Sequence, residues 1–304
     1  MSPHKNIILD ESKMIGCGAT GAVYQYQDDS IVKLYFSSSA LEDIEREKKY
    51  AREAFILGIP TAISLGIVKV GEKYGLEYEF IKSRSMSGEI MANPQETETL
   101  VNQLVDVAKT LHTTSHKSGS RTSIFDSTKA FFLQHIAINP LFSLEEKELC
   151  VQFIESIPDR DTLIHGDFHP GNIMLSGGEA MLIDIADISY GHPIFDLAGL
   201  HFTLVEIPVF STYRNEKGET RIGLTVEKSR EVWSGFIEKY FLNIAVAEKD
   251  EIIKQIRTLS ALRTVCLLTM HNREFSERDR AYFKESISER LMPELPDMIG
   301  KINW

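Results

Sequence analysis

The chain has 304 residues, 43% of them hydrophobic, and a net charge of −11 from 33 basic and 44 acidic side chains. This length and composition can bury a sizeable core, so we expect a globular protein of one large domain or two smaller ones. The acidic balance argues against nucleic acid as a partner, because phosphate backbones select basic surfaces. No apolar run approaches the roughly 20 residues that span a bilayer, and no signal-peptide core is present, which predicts a cytoplasmic protein without a membrane partner.

Acidic side chains are concentrated in the C-terminal part of the chain. Residues 1–85 hold 11 basic and 12 acidic side chains, whereas residues 86–304 hold 22 and 32, a net charge of −10. A solvated acidic surface that aids solubility is the simplest explanation. The alternative is a site in residues 86–304 that attracts a cationic small molecule, because opposite charge raises the local concentration of a ligand.

The first 82 residues have the pattern of a small, mainly antiparallel sheet with one helix. Strand-like runs rich in β-branched and aromatic residues occur at 6–16, 22–27, 31–36, 61–70 and 74–81. Between them, a segment that stops at Gly58 has residues near helical spacing, which predicts a helix whose apolar face holds Leu41, Ile44, Lys48 or Ala51, and Phe55.

Beyond residue 82 the pattern is mainly helical. Apolar faces at helical spacing recur at 100–111, 232–241, about 249–270 and about 277–291. Ser143 and Glu146 form a capping-box pattern that opens a further predicted helix, and only residues 162–190 interrupt the helices with strand-like runs. We therefore expect an α+β protein with an N-terminal domain over residues 1–82 and a helical C-terminal domain over residues 83–304.

A glycine-rich segment, GCGATGAV at residues 16–23, lies between two predicted strands. Gly16, Gly18 and Gly21 fit the pattern G-x-G-x-x-G, in which backbone N–H groups can approach phosphate oxygens without a Cβ in the way. An ordinary hairpin turn explains the same pattern, and the following strand disfavours a dinucleotide-binding fold, where a helix should follow the third glycine. Cys17 is best explained as an incidental small residue, because no neighbouring base or cation would lower its pKa.

Lys33 lies in the apolar strand IVKLYF, directly after the glycine-rich segment. A buried lysine needs an anionic partner, because an unpaired buried charge is costly; alternatively, Lys33 faces solvent. The predicted helix that follows offers several carboxylates. We expect Glu47 to be the partner, since it flanks the apolar face, with Glu45 as the second choice.

The segment LIHGDFHPGNIML, residues 163–175, concentrates polar residues between two apolar runs. His165, Asp167 and His169 alternate, so on a strand they would share one face, as the ligands of a two-histidine, one-carboxylate iron site do. Pro170 and Gly171, however, end any strand just where that site would need one. A catalytic loop for phosphoryl transfer is the alternative, and it also accounts for the glycine-rich segment and Lys33.

Phosphoryl transfer needs a carboxylate that orients the attacking hydroxyl, and oxygen ligands that hold Mg²⁺ on the phosphates. Asp167 suits the first role. Asn172, five residues later, and Asp184, in the apolar run MLIDIAD, suit the second. Mg²⁺ favours hard oxygen ligands and keeps several waters, so one amide and one carboxylate can suffice.

Taken together, these segments resemble the protein-kinase-like superfamily and, within it, the group of small-molecule kinases that contains aminoglycoside phosphotransferases and choline kinases. The resemblance rests on GCGATGAV, Lys33, Glu47, HGDFHPGN and LIDIAD, and covers roughly residues 10–200. It implies a two-lobed kinase-like fold, with a small antiparallel sheet and one helix in the N-terminal lobe and a larger helical C-terminal lobe. Nucleotide would bind in the cleft and the acceptor on the helical side.

The resemblance also implies roles for the polar residues. Asp167 would be the catalytic base, while Asn172 and Asp184 would bind Mg²⁺. Lys33, held by Glu47, would contact the α- and β-phosphates.

Further residues would support the loop that carries the catalytic base. By the same resemblance, His165 would brace this loop through hydrogen bonds, and Asp196 would anchor it. His169 would shape the loop or, alternatively, contact phosphate or substrate.

The resemblance places the adenine contacts at the sequence EFI, residues 79–81. The Glu79 carbonyl and the Ile81 amide would bind the edge of the base, and Tyr78 would limit the depth of the pocket. ATP is the expected nucleotide, with GTP as the alternative, and the motifs do not distinguish a monomer from a dimer.

Two departures from protein kinases narrow the expected activity. The second metal motif reads Asp184-Ile185-Ala186, and only 12 positions separate Asp184 from Asp196, which leaves little room for an activation loop. We therefore expect an ATP- and Mg²⁺-dependent transfer to a hydroxyl of a small molecule, such as an amino sugar or amino alcohol. The alternatives are a catalytically inactive kinase fold that binds nucleotide and, less favoured, a protein kinase.

Overall fold

The computed structural model describes residues 4–18, 20–37, 41–117, 123–209, 215, 218–270 and 276–304. The chain forms two compact units, one of Met1–Met86 with Asn172–Asp187 and the other of Ser87–Gly171 with Ile188–Trp304. The mixed α+β class predicted from the sequence is confirmed. The functional division after residue 82 stays a prediction.

Strands and helices follow the predicted order along the chain. The strands are β1 (Lys5–Asn6), β2 (Met14–Cys17), β3 (Gly21–Gln25), β4 (Ser30–Tyr35), β5 (Ser64–Val70), β6 (Lys73–Glu79), β7 (Arg84–Ser85), β8 (Leu163–Ile164), β9 (Ile173–Ser176), β10 (Glu179–Leu182) and β11 (Ser189–Tyr190). The helices are α1 (Leu41–Ile56), α2 (Met86–Ala92), α3 (Thr97–Thr113), α4 (Thr128–Ile138), α5 (Leu144–Ser156), α6 (Ile194–His201), α7 (Val226–Tyr240), α8 (Val246–Met270), α9 (Glu277–Glu285) and α10 (Leu295–Met298).

The first unit is built on a six-stranded sheet with strand order β1-β5-β6-β4-β3-β2. Neighbouring strands are antiparallel except β1, which runs parallel to β5. The single strand predicted over 6–16 is wrong, because a 3-10 turn at Glu11–Lys13 separates β1 from β2. Asp10 opens this turn by accepting hydrogen bonds from the backbone N–H and hydroxyl of Ser12, a local bond that competes with strand pairing.

Helix α1 confirms the predicted helix, and Ile44 and Ala51 of its predicted apolar face are buried, whereas Phe55 is not. Its buried residues are Ile44, Glu47, Tyr50, Ala51 and Ala54, and it packs against β5 and β6. Phe55, predicted to lie on the apolar face, is 52% exposed. The small alanines let α1 approach the sheet closely. Glu47 is buried on the same face, where it can pair with Lys33 of the sheet.

The same unit contains a small sheet with strand order β10-β9-β7. Its β9–β10 hairpin pairs Ile173 with Leu182. This register brings the residues just outside the hairpin, Asn172 and Ile183, next to each other, and Ile183 N–H donates to the Asn172 carbonyl at 3.0 Å. Asp184 follows directly.

The second unit is mainly helical, as the periodicity predicts. The capping box that opens α5 is confirmed, since the Ser143 hydroxyl accepts from Glu146 N–H and the Glu146 carboxylate accepts from Ser143 N–H. The pattern over 277–291 is not one α-helix, because α9 continues as a π-helical turn at Ser286–Leu291. In the part of the chain that the structure describes, no helix is long and apolar enough to cross a membrane.

Candidate active site

The glycine-rich segment forms the tight connection between β2 and β3. Cys17 pairs with Ala22, and Gly18 N–H donates to the Gly21 carbonyl at 2.9 Å. A Cβ at Gly21 would lie 2.4 Å from the Leu34 carbonyl oxygen, so glycine is required there by the close approach of β4. A Cβ at Gly16 or Gly18 would meet nothing closer than 3.7 Å. Contacts from this turn to phosphate stay a prediction.

Lys33 and Glu47 form the ion pair expected from the sequence. The Lys33 Nζ lies 3.1 Å from Glu47 Oε1 and 3.0 Å from Oε2, and the Glu47 side chain is only 2% exposed. The same Nζ lies 2.7 Å from Asp184 Oδ1. Burial disfavours the charged ammonium, but the two carboxylates outweigh it and raise the pKa of Lys33, so Lys33 remains a cation.

Two tyrosines also bind the Glu47 carboxylate, a role that the sequence does not reveal. The Tyr78 hydroxyl donates to Oε1 at 2.6 Å, and the Tyr35 hydroxyl donates to Oε2. Burial and the nearby Glu47 charge raise the pKa of both tyrosines, so both hydroxyls keep the protons they donate. Tyr35 is two residues from Lys33 on β4, and alternation on a strand places both on the sheet face that α1 covers.

Asn172 and Asp184 lie at adjoining ends of the β9–β10 hairpin. The Asp184 side chain is 49% exposed, while Asn172 is nearly buried. Among the described residues, Asp184 is the non-glycine residue with positive φ, at 56°, a conformation that costs energy and is concentrated at functional sites. An amide oxygen and a carboxylate are hard donors, so this pair fits the ligand chemistry of Mg²⁺.

The loop that contains Asp167 is held by a buried carboxylate. Asp196 on α6 is 1% exposed, and it accepts hydrogen bonds from His165 N–H at 2.8 Å and Gly166 N–H at 2.9 Å. Burial opposes the charge, but His112, His165 and the backbone donors lower the pKa of Asp196 below its usual value. These bonds are what the predicted anchoring role of Asp196 requires.

His112 on α3 extends this support, and the sequence patterns did not predict it. Its Nε2 lies 3.1 Å from Asp196 Oδ2, and its Nδ1 lies 2.8 Å from the Tyr240 hydroxyl. Burial and the Asp196 charge raise the pKa of Tyr240, so the hydroxyl stays protonated and donates to Nδ1. His112 Nε2–H then donates to Asp196. In the sequence, His112 stands at the end of an apolar helical face, and that position does not indicate a contact with Asp196.

Both histidines of the loop bond to neighbouring backbone. His165 Nδ1 accepts from Asp167 N–H at 3.3 Å, and His169 Nδ1 accepts from Gly171 N–H at 3.1 Å. Because Nδ1 accepts, neutral His169 carries its proton on Nε2, which lies 3.5 Å from Asp167 Oδ2. The geometry therefore gives His169 the loop-shaping contacts considered for it above.

The Asp167 carboxyl is ionised and 44% exposed. Burial would raise its pKa, but His169, Arg263 and His165 outweigh burial and hold the pKa below its ordinary value. Among the described residues, no group of three His, Cys, Asp or Glu side chains could hold a metal ion. The geometry does not support the two-histidine iron site considered above, since His165 Nδ1 accepts a hydrogen bond from the Asp167 backbone N–H.

The residues expected at the adenine edge lie at the end of β6. Glu79 is the last residue of the strand, and its N–H donates to the Ile63 carbonyl at 3.2 Å. The carbonyl of Ile81 accepts from the Ser83 hydroxyl at 2.9 Å. The Glu79 carbonyl and Ile81 amide remain predicted contacts to the base.

A family model described as the phosphotransferase enzyme family matches residues 13–224, more than half of the chain. The chain belongs to this family. The match includes every residue that the sequence patterns assigned to the site. No curated protein matches this chain by sequence.

Solved structures similar to this chain share its fold at low sequence identity. The ADP-bound aminoglycoside phosphotransferase APH(2'')-Ib has a TM-score of 0.59 and 14% identity, with 93% of each chain covered. A choline/ethanolamine kinase family protein from Mesorhizobium loti has a TM-score of 0.56 and 14% identity, covering 94% of this chain and 90% of its own. Choline kinase LicA from Streptococcus pneumoniae has a TM-score of 0.54 and 15% identity, covering 96% and 95%. The predicted kinase-like fold is therefore confirmed.

Proposed function

We propose that this phosphotransferase transfers the γ-phosphoryl group of ATP, in the presence of Mg²⁺, to a hydroxyl of a small molecule. The observation that carries the proposal is the position of Lys33, whose ammonium lies within 3.1 Å of Glu47 and Asp184. Residues that are far apart in the sequence thus meet at one cation, in the arrangement that phosphate binding by lysine requires.

The nucleotide side of the reaction is assigned to the first unit. Lys33 binds the α- and β-phosphates and is held by Glu47, and the backbone of the glycine-rich turn contacts phosphate oxygens. Asn172 and Asp184 hold Mg²⁺, which when bound neutralises charge on the phosphates. Glu79 and Ile81 bind the adenine edge through their main chain.

The acceptor side is assigned to Asp167. As a carboxylate with a lowered pKa, it orients the acceptor hydroxyl and takes up its proton as the bond to phosphorus forms. Because the carboxylate is a weak base, its main contribution is orientation of the hydroxyl rather than early removal of its proton.

The acceptor is proposed to be a cationic small molecule, such as an amino sugar or an amino alcohol. Residues 86–304 carry a net charge of −10, which favours cations. Structures of similar fold include a gentamicin complex of APH(2'')-IIa, with 16% identity, and the choline kinase described above. GTP is kept as an alternative to ATP, because one structural neighbour is a GDP and kanamycin complex.

Calorimetry with Mg²⁺ and ATP, followed by turnover across a panel of amino sugars, choline, ethanolamine and homoserine, tests the proposal. We expect Asp184→Ala to abolish Mg²⁺-dependent nucleotide binding. Asp167→Asn should retain binding and lose about 10²- to 10⁴-fold in turnover, the usual range for a catalytic base. Asp159→Asn, at a side chain 93% exposed, is the matched control.

The same experiment separates the alternatives. Binding of nucleotide without turnover of any acceptor would favour an inactive binding module, and no Mg²⁺-dependent binding at all would contradict the proposal. A protein kinase is disfavoured by the segment after Asp184, because a 3-10 turn at Ile185–Asp187, β11 and the start of α6 at Ile194 occupy nearly all of it. No extended activation loop fits between them.

A further inference from the structure

Arg263, in the middle of α8, reaches the loop that carries Asp167. Its Nη2 donates to the Gly166 carbonyl at 2.8 Å and lies 4.0 Å from Asp167 Oδ1. Its side chain is only 14% exposed. Nothing in the sequence indicates this contact, because Arg263 falls in a long apolar pattern that is typical of packing.

The contact holds one particular peptide group. The Gly166 carbonyl and the Asp167 N–H belong to the same planar peptide unit. Arg263 binds the oxygen side of this unit, and the His165 ring binds its N–H side at 3.3 Å. Gly166 has φ of +86°, a conformation open to many backbone orientations in glycine, so side-chain contacts are needed to fix the plane from which the Asp167 side chain extends.

Each oxygen of the Asp167 carboxylate lies near a positive or hydrogen-bond-donating side chain. Oδ1 faces the Arg263 guanidinium at 4.0 Å, and Oδ2 faces His169 Nε2 at 3.5 Å. Two positive or donating groups on opposite sides restrict rotation of the carboxylate about its Cβ–Cγ bond. A carboxylate that must meet an acceptor hydroxyl gains from such restriction, since a misplacement of about 1 Å can cost 10²-fold in rate.

One atom of Arg263 opposes its contribution to stability. Its Nε is buried and makes no hydrogen bond to any described residue, and a buried unsatisfied donor destabilises the folded state. The guanidinium lies against Gly199 on α6, where an added Cβ would sit 3.7 Å from Cζ. Gly199 follows Asp196 by one helical turn, so the same face of α6 supplies both the anchoring carboxylate and the space for Arg263.

We infer that Arg263 is a positioning residue for Asp167, fixing the Gly166–Asp167 peptide and the direction of the carboxylate. The inference rests on the proposed function, because it assumes that Asp167 meets the acceptor hydroxyl. Arg263 itself touches neither nucleotide nor acceptor in this assignment, so its effect should appear in kcat.

Steady-state kinetics on four variants test the inference. We expect Arg263→Gln to lower kcat about 100-fold while the KM for the nucleotide changes less than about twofold, because geometry is lost rather than nucleotide binding. Arg263→Lys should recover only part of the loss, since an ammonium lacks the planar fork of donors. Ethylguanidinium added to Arg263→Ala should restore turnover. The matched control is Arg257→Gln, at an exposed arginine of the same helix.

A second measurement does not depend on activity. Hydrogen exchange of the amides of residues 165–167 should be faster in Arg263→Gln than in the wild type and in Arg257→Gln, because the loop opens locally more often. If the wild type showed no turnover but this exchange rose, the proposed function would fail, while the part of the inference in which Arg263 fixes the Gly166–Asp167 peptide would stand. Equal exchange in the two glutamine variants, or a kcat loss in Arg263→Gln no larger than in Arg257→Gln, would overturn the inference.

Discussion

The carboxylates of Glu47 and Asp196 are both buried, yet they are stabilised in different ways. Glu47 receives its partners from side chains: the Lys33 ammonium and the hydroxyls of Tyr35 and Tyr78. Asp196 receives two of its three described partners from the backbone of the loop that contains Asp167, through His165 N–H and Gly166 N–H.

These two sets of partners show what each carboxylate controls. Glu47 fixes the position of another side chain, Lys33. Its carboxylate also accepts hydrogen bonds from two tyrosine hydroxyls. Asp196 fixes the course of the main chain just before Asp167, and backbone donors cannot move to new partners as side chains can. Removing one of the partners of Glu47 should therefore lower the free energy of unfolding less than removing the Asp196 carboxylate.

Asp196→Ala should give the largest effect on stability. The change leaves two backbone N–H groups and His112 Nε2 without their acceptor in a buried site, and we expect a loss of ~3–5 kcal/mol in the free energy of unfolding. Urea denaturation measures it, with Asp159→Ala at an exposed ion pair as the control. If Asp196→Ala lowered the free energy of unfolding less than Asp159→Ala does, the proposed difference between Asp196 and Glu47 would be contradicted.

Acidification should also weaken the helix that carries Asp196. His192, just before α6, accepts from Ile194 N–H at Nδ1, and its Nε2 lies 2.9 Å from the Trp304 carbonyl. Burial lowers the pKa of His192 to about 4, from an ordinary value of 6.5. Between these values the unfolded chain binds a proton that the folded protein does not, so stability falls as the pH falls from 6.5 to 4, by ~3 kcal/mol in total.

Urea denaturation at pH 7, 5.5 and 4 measures this loss in the wild type and in His192→Gln. The glutamine variant should be less stable at pH 7 but should lose the share of the pH dependence that His192 contributes. Parallel curves for the two proteins would show that His192 titrates in the folded state at its ordinary pKa.

Removing one hydroxyl beside Glu47 should give the smallest of these effects. Tyr78→Phe deletes a hydrogen bond to a charged acceptor, worth ~2 kcal/mol, while Lys33 and Tyr35 still bind the carboxylate. Tyr24→Phe is the control, because the pairing of Tyr24 with Val32 places it on the opposite face of the sheet.

The double variant Tyr35→Phe with Tyr78→Phe extends this measurement. Its loss of stability should differ from the sum of the two single losses, since both hydroxyls bind one carboxylate. Additive losses, measured by the same urea denaturation, would mean that the two tyrosines act separately and would weaken the contrast between Glu47 and Asp196.

Sequence patterns predicted the parts of the structure that local chemistry determines. The pairing of Lys33 with Glu47 followed from a lysine in an apolar strand, and the capping box at Ser143 followed from the spacing of two residues. Both depend on short-range periodicity or on charge balance, which a sequence displays directly.

The residues that were missed depend on long-range packing. Tyr35 has the pattern of an ordinary core tyrosine, and Tyr78 was expected only to limit the depth of the nucleotide pocket; nothing in the sequence places their hydroxyls against Glu47. Arg263 lies 97 residues from the carbonyl it binds, and His112 lies 84 residues from Asp196. On α1, Ile44 and Ala51 lie on the buried face as predicted, but helical spacing placed Phe55 there wrongly, because the small side chain of Ala54 occupies the last buried position of the helix.

The bonds to Glu47 have a mechanical consequence for α1. The Glu47 carboxylate links the helix to two strands, since it bonds to Lys33 and Tyr35 on β4 and to Tyr78 on β6. If α1 slid or rotated along the sheet, Glu47 would lose all of these donors together. Its charge would then lie among Ile44 and the other apolar residues of this face. We therefore expect helix α1 and the sheet to move together as one rigid unit.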